Sequence, residues 1–156
     1  MKLVTILSMT MMLVLMACGG GALPEDSMKA FVDAVKAGDG PTAASYISSY
    51  ALSDLDVQLV AIKENPEMSV TYLEAMGVEV TESEIAEWTS EDLLAAFFSS
   101  PGMVDELGDK LDLVINGSEI DGEEAVVFIT TADDREEDVE MILEDGVWKL
   151  YEMPGN

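Results

Sequence analysis

The spacing of apolar residues changes once along this chain, and that change constrains the fold more than any other feature. In the first half, apolar residues recur at the three- and four-residue spacing of an amphipathic helix, as at Met28, Phe31, Val32 and Val35. In the second half they recur at every second position, as in Val139–Leu143, which is the period of a strand. Helices followed by a run of strands predict an α+β domain.

Start and stop signals divide the first half into separate helices. We expect the first helix to start at Pro24 and end at Gly38, and a second helix to open at Asp39 and carry Ile47 and Tyr50. The later boundaries are marked by capping sequences and by Pro or Gly breaks: Ser53–Asp56, Asn65-Pro66, Gly77, Thr81–Glu84, Thr89–Asp92, Ser100-Pro101-Gly102 and Gly108. The helical part is therefore expected over residues 24–108.

The second half predicts about four strands joined by tight turns. The first strand alternates from Leu111 to Ile115 and is expected to end at Asn116-Gly117. Glu124–Thr131 is apolar on both faces, as expected of a central strand. Asp145-Gly146 is a two-residue hairpin signal that leads into Val147–Met153. We expect an antiparallel β-meander over 110–153, within a single domain over 24–156.

The first 17 residues predict a signal peptide. Lys2 gives a short positive start, and Leu3–Ala17 is apolar apart from three hydroxyl residues. As a helix, this apolar segment spans roughly 22 Å, which is short of the roughly 30 Å hydrocarbon core of a bilayer. That length is typical of a signal peptide rather than of a stable membrane span.

The end of this segment resembles the lipobox of bacterial lipoproteins. In Leu15-Met16-Ala17-Cys18, a Leu stands three residues before the Cys and a small residue stands directly before it. Met16 departs from the small residue that is usual at the middle position. The resemblance implies cleavage between Ala17 and Cys18, loss of residues 1–17, and a diacylglyceryl group on the Cys18 thiol. The alternatives are an ordinary signal peptide with a chance cysteine, and an uncleaved anchor.

The lipid on Cys18 makes a membrane the first expected partner. Two or three acyl chains hold firmly, because each buried CH₂ contributes about 0.8 kcal/mol. Residues 18–23 include Gly19–Gly21 and form a flexible tether to the domain. Gly19 is not the Asp that resembles the inner-membrane retention signal of enteric bacteria. We therefore expect the outer membrane, on its periplasmic or surface face, if the cell has two membranes. Otherwise we expect the outer face of the cytoplasmic membrane.

Acidic residues far outnumber basic ones. The chain has 32 Asp and Glu against 7 Lys and Arg, a net charge of −25. Loss of Lys2 with the signal peptide leaves six bases against 32 acids, a net charge of −26. Such a field repels nucleic acid and anionic headgroups, so no nucleic-acid partner is expected. A solvated acidic surface is the main interpretation, and a basic partner, bound cations or a salty habitat are the alternatives.

The single cysteine and the absence of histidine limit the chemistry of the domain. With Cys18 used for lipid, the mature domain has no disulfide, no thiol nucleophile and no metal site built on Cys or His. Asp133–Asp138 holds five carboxylates in six residues, and oxygen ligands suit Ca²⁺. This run lacks the spacing and the glycine of a calcium loop, so we expect a solvated hairpin tip, with cation binding as the alternative. No metal site and no cofactor are predicted.

Two stretches, KAGDGPTAASYI and EDGVWKLYEM, resemble small bacterial lipoproteins of the nuclear transport factor 2-like superfamily. The likeness covers roughly residues 24–50 and 111–152, whereas residues 51–109 are longer and more helical than the pattern of that superfamily. It implies a curved antiparallel sheet wrapped around helices to form a cone. Phe128 and Trp148 are the candidate residues that line the pocket of this cone.

The function predicted from these features is that of a non-catalytic envelope lipoprotein whose domain binds a small apolar molecule or another protein. Enzymes of the superfamily place Asp, Tyr or His in the cone. This chain has no His, and none of its 32 acids can be matched to a catalytic position. One alternative is an enzyme that uses a buried carboxylate in the cone. The other is an acidic surface protein that binds cations.

Overall fold

The helices come first along the chain and the strands come last, which confirms the predicted α+β architecture. The structure, a computed structural model, describes residues 22–108 and 110–152. Within these residues the helices are α1 (Pro24–Ala37), α2 (Gly40–Ser45), α3 (Ser49–Glu64), α4 (Pro66–Ala75), α5 (Glu82–Glu87), α6 (Ser90–Ser99) and α7 (Pro101–Gly108). The strands are β1 (Val114–Asp121), β2 (Glu124–Thr130), β3 (Glu136–Glu144) and β4 (Val147–Leu150).

The four strands form one antiparallel sheet in the order β1-β2-β3-β4, so each strand pairs with its neighbour in sequence. β2 lies inside this sheet, as its apolar residues on both faces predict. β4 is much shorter than β3 and pairs only with Met141–Glu144. The first part of β3, Glu136–Val139, therefore pairs with β2 but lies before the residues that pair with β4.

One main core fills the space between the sheet and the helices. Ala125, Val127 and Ile129 of β2 are buried there together with residues of α1, and we call their side of the sheet the inner face. Successive side chains point to opposite faces of a strand, so the other side is the outer face. Phe31 of α1 is 1% exposed and stands edge-on to Phe98 of α6, with ring centroids 5.7 Å apart.

Helices α2 and α6 approach closely because Gly40 has no side chain. A Cβ built at Gly40 would lie 1.8 Å from the carbonyl oxygen of Ala95 and 2.2 Å from Oγ of Ser99. Ala43 and Ala44 of α2 are fully buried and belong to the main core. A smaller second cluster lies around α4 and α5, and its buried members are Leu73, Val78, Val80 and Ile85.

Local signals place most helix ends correctly. α1 starts at Pro24 and ends at Gly38, which has φ of 68° and donates its N–H to the carbonyl oxygens of α1's last turn. Glycine suits this left-handed position because it has no Cβ. Thr81 and Thr89 both form capping boxes at the starts of α5 and α6. Gly108 closes α7, as predicted.

The predicted second helix was wrong in length and the predicted Ser53 cap was wrong. α2 ends at Ser45, because the chain at Ile47 makes a parallel bridge to Leu150 instead of continuing the helix. The N–H of Ser48 donates to the Leu150 carbonyl at 3.0 Å. Oγ of Ser48 then accepts the N–H of Ala51 at 3.1 Å, so α3 is capped at Ser48 and Ser53 lies inside it.

The predicted turn at Asn116-Gly117 was also wrong. β1 starts at Val114 and continues past Gly117 to Asp121. Its register with β2 shifts between Ile115 and Gly117. The hairpin turn to β2 lies later, at Gly122, where φ is 69°. The Asp145-Gly146 turn was correct: both residues have positive φ, at 52° and 81°, which is the pattern of a type I′ turn.

Candidate functional site

The predicted lipid-attachment residues lie outside the described part of the chain. Ala17 and Cys18 both precede Ala22, where the description starts. Helix α1 begins at Pro24, directly after the predicted tether, and Leu23 before it is exposed. Among the described residues, no helix combines the length and the apolar character needed to cross a membrane.

The two residues predicted to line one pocket lie on opposite faces of the sheet. Trp148 pairs with Leu143 on the inner face, is 6% exposed, and belongs to the main core. Phe128 pairs with Asp138 and is half-buried on the outer face. The structure therefore does not bring Phe128 and Trp148 together, and neither side chain lines the two grooves described next.

The larger groove, which we call the inner groove, has a volume of about 1130 Å³. It lies where α1 and the segment from α7 to β1 meet the sheet. Its apolar lining residues include Met28, Phe31, Leu107, Leu111, Leu113, Ile129, Val139 and Leu150. Several of these also belong to the main core, so the groove opens from the core toward solvent beside β3.

Charged side chains stand at the mouth of the inner groove. Arg135 contacts Asp133 at 2.8 Å and Glu137 at 3.1 Å, and all three line the groove. The Thr131 hydroxyl and the Arg135 guanidinium both bind Asp133, and they hold the pKa of its carboxyl below its usual value. Lys110 also lines this mouth. The mouth therefore combines both signs of charge above an apolar floor.

The predicted acidic run is part turn and part strand. Asp133 and Asp134 lie in the connection between β2 and β3, and the N–H of Asp134 donates to the Thr131 carbonyl at 3.0 Å. Glu136–Asp138 belong to β3, where side chains alternate between faces. Within residues 22–108 and 110–152, no three acidic groups lie in an arrangement that could hold a metal ion.

A second groove, which we call the outer groove, lies on the outer face and has a volume of about 490 Å³. Half-buried Val126 and Ile142 form its apolar floor. The cross-strand register places Glu119 opposite Val126 and also places Val126 opposite Glu140. The carboxylates that line this groove are Glu119, Asp121, Glu124 and Glu140.

Tyr151, which stacks on Tyr50, forms one wall of the outer groove. The rings of Tyr50 and Tyr151 are stacked, with centroids 4.6 Å apart and planes 2° apart. Tyr151 lines the groove, and its N–H donates to the carbonyl oxygen of Glu140 at 2.9 Å. Partial burial and the neighbouring Tyr50 raise the pKa of the Tyr151 hydroxyl. The ring of Tyr151 is therefore held in place by both stacking and the backbone.

The start of α3 is fastened to the β3–β4 hairpin by Glu144. The N–H and the hydroxyl of Ser49 both donate to the Glu144 carboxylate, at 3.1 and 2.8 Å. Burial raises the pKa of Glu144, but the bonds from Ser49 and the charge of Lys149 outweigh it, so the net pKa is lowered. This contact holds Tyr50, the next residue of α3, beside the outer groove.

A catalytic carboxylate of the kind in the enzyme hypothesis would need a raised pKa. The described acids whose pKa is clearly displaced are all lowered, namely Glu84, Asp92, Asp133 and Glu144. Oε2 of Glu25 is buried without a hydrogen-bond partner, but Glu25 lines neither groove.

The sequence predicts neither of the two grooves. Arg135 stands within an acidic run in the sequence, and nothing there marks it as a base at the mouth of the inner groove. The Tyr50–Tyr151 pair had no sequence signal, because it joins residues about a hundred positions apart. The alternation of residues in β2 and β3 predicts which residues of one strand share a face. The register between the strands then places Val126 and Ile142 on the same face.

Comparisons with protein families, with curated proteins and with solved structures each give no match to this chain.

Proposed function

We propose that this protein is a lipid-anchored, non-catalytic protein of the bacterial envelope whose domain binds a small apolar molecule in the inner groove. The observation that carries the proposal is the apolar floor of this groove beneath a charged mouth. Small-molecule sites have volumes of roughly 300–1,000 Å³, mostly apolar linings and a few polar groups that fix orientation. The volume of the inner groove, about 1130 Å³, lies just above this range, and its lining matches the class.

The residues at the mouth favour a ligand with an apolar body and a small polar end. Arg135 and Lys110 can donate hydrogen bonds to such an end, while Asp133 and Glu137 hold the Arg135 side chain in place. Groups that are already fixed lose less conformational entropy when a ligand binds. A strongly anionic ligand is disfavoured by the net charge of the chain, −25.

Binding of a neutral fluorescent probe, N-phenyl-1-naphthylamine, tests the proposal. We expect a saturable rise in fluorescence with the wild type. Val139→Trp adds bulk inside the inner groove and should abolish this rise. Val147→Trp makes the same change on β4 at a position that lines neither groove, so it should leave binding intact. Circular dichroism checks that both variants fold, and a wild type that never saturates would refute the proposal.

The anchor is supported by sequence and is tested separately. Leu15-Met16-Ala17-Cys18 resembles the lipobox at three of its four positions. These are Leu15 and the two residues on either side of the proposed cleavage site, Ala17 and Cys18. Cys18→Ser should leave the precursor without lipid. Labelled fatty acid on that variant would refute the assignment, whatever the result for the groove.

Within the α+β class, we propose a nuclear transport factor 2-like fold for the domain. It is supported by an antiparallel meander whose inner face packs on α1. An experimental structure tests it: a sheet that curves around α1 is expected, and a flat sheet with α1 at its edge would contradict it.

Binding of a protein partner is the second candidate, favoured by one observation. Besides Tyr50, four large apolar side chains on α3 and α4 are exposed: Val57, Val60, Met68 and Tyr72. A photo-crosslinking residue at Tyr72 should then give one discrete adduct in cells, whereas the same residue at exposed Asp33 of α1 should not. Equal adducts at both positions, or none at either, would reject this candidate.

A further inference from the structure

The outer groove has features that the proposed function does not use. It lies on the outer face, whereas α1 packs on the inner face. Its floor is apolar, because Val126 and Ile142 are half-buried there although β-strands with a solvated face usually carry polar residues on it. Its volume of about 490 Å³ falls within the range of small-molecule sites.

The charges around this floor all have one sign. Glu119, Asp121, Glu124 and Glu140 line the outer groove, and no Lys or Arg is among its lining residues. Lys149, a base on the neighbouring part of this face, pairs with Ile142 across the strands and has its Nζ 3.5 Å from Oε2 of Glu144. The groove therefore has a negative potential that is only partly offset nearby.

The aromatic wall adds a second means of holding a positive charge. The face of an aromatic ring attracts a cation electrostatically, with an effect of about two- to fivefold in affinity at exposed sites. The ring of Tyr151 lines the groove and is stacked on Tyr50, so its position is fixed before any ligand binds. An apolar floor, a fixed aromatic ring and carboxylates on the rim are the complement of one chemical class.

We propose that the outer groove binds a small organic cation with an apolar body, which rests on Val126 and Ile142, and whose charge lies between Tyr151 and the carboxylates. The volume of the groove sets the size of this ligand to that of a single small molecule rather than a folded partner. Val126 and Glu140 border both grooves, whereas Ile142, Tyr151 and the other three carboxylates line only the outer groove. The two proposals are therefore tested with different probes and different residues.

Calorimetry with benzyltrimethylammonium at 150 mM salt tests this inference, with benzyl alcohol as the uncharged probe of similar shape. We expect saturable binding of the cation and about tenfold weaker binding of the alcohol, because the alcohol has no charge for the carboxylates and the Tyr151 ring to attract. Raising the salt concentration should weaken binding of the cation only, since salt screens exposed charges. Equal affinity for the two probes would overturn the proposal.

A matched pair of variants separates the groove from the general acidity of the chain. Glu140→Gln removes one lining carboxylate and should weaken cation binding by about fivefold. Glu136→Gln makes the same change on the same face of β3, outside the groove, and should weaken it by less than about twofold. Equal losses of affinity in both variants would show that cation binding depends on net charge alone, which would contradict a specific site in the outer groove.

The aromatic wall is tested by Tyr151→Leu, which keeps an apolar side chain but removes the ring. We expect affinity for benzyltrimethylammonium to fall by about two- to fivefold, and Tyr151→Phe to retain it. Chemical shifts of the Ile142 methyl groups, which line the outer groove alone, report during the titration whether the probe contacts the floor. Shifts confined to the inner-groove methyl groups would overturn the assignment.

Discussion

Replacing Gly40 by alanine should destabilise the protein strongly, because α2 and α6 leave no space for one methyl group. The added Cβ would stand 1.8 Å from the Ala95 carbonyl oxygen and 2.8 Å from the Ala95 carbonyl carbon. Both are backbone atoms, so the helices must move apart. Overpacking of a well-packed interior costs typically about 1–3 kcal/mol, and a clash with backbone belongs at the upper end. We expect a loss of about 3 kcal/mol in the free energy of unfolding.

Urea unfolding followed by tryptophan fluorescence measures this loss. With a slope of about 1.5–2 kcal/mol/M for a domain of this size, the midpoint should fall by about 1.5–2 M. Gly102→Ala is the matched control, because its nearest atom, the Met76 carbonyl oxygen, would lie 3.6 Å from the new Cβ. That variant should stay within about 0.5 kcal/mol of the wild type. A Gly40→Ala protein as stable as the control would refute the close approach of α2 and α6.

Three further outcomes are expected from the same unfolding assay. Glu144→Gln should cost about 1–2 kcal/mol at pH 7, because Ser49 loses a charged acceptor. The folded-state pKa of Glu144 is lowered, so its contribution is present above the unfolded value of 4.5 and is lost as the pH falls through the folded value. The gap between variant and wild type should therefore begin to narrow below pH 4.5 and close once the pH is below the folded-state pKa, and a gap that stays constant on acidification would contradict this. Thr89→Ala should cost about 1 kcal/mol by removing the cap of α6, with Ser83→Ala as a control at an exposed helix position. Gly146→Ala should cost about 1 kcal/mol because φ there is 81°, and an unchanged midpoint would mean that the turn is not type I′.

The sequence predicts those parts of the fold that local interactions decide. The helix starts at Pro24, Thr81 and Thr89 follow from caps and fixed backbone angles within four residues. The end of α2 does not, because Ile47 leaves the helical path to bridge Leu150, far along the chain. A preference of a few tenths of a kcal/mol per residue for helix is easily exceeded by such tertiary pairing.

The sequence likewise predicts the sheet only in part, because tertiary contacts decide which face of each strand points inward. Residues of β2 are apolar on both sides, so the sequence identifies a central strand but cannot say which of Val127 and Phe128 points inward. That choice depends on which face packs against the helices. Phe128 pairs with Asp138 and Trp148 pairs with Leu143, and these two partners are five residues apart in β3. Side chains alternate along a strand, so Phe128 and Trp148 lie on opposite faces. Both grooves are assembled from several elements, so no single segment encodes either one.

The short length of β4 has a consequence for how this protein avoids pairing with other copies of itself. Glu136–Val139 lie beyond the part of β3 that pairs with β4. Uncovered strands invite pairing with other molecules, and charged side chains discourage it. Glu136, Glu137 and Asp138 supply that protection on this part of β3. Replacing all three with their amides removes the repulsion, and we expect that variant to self-associate through this strand.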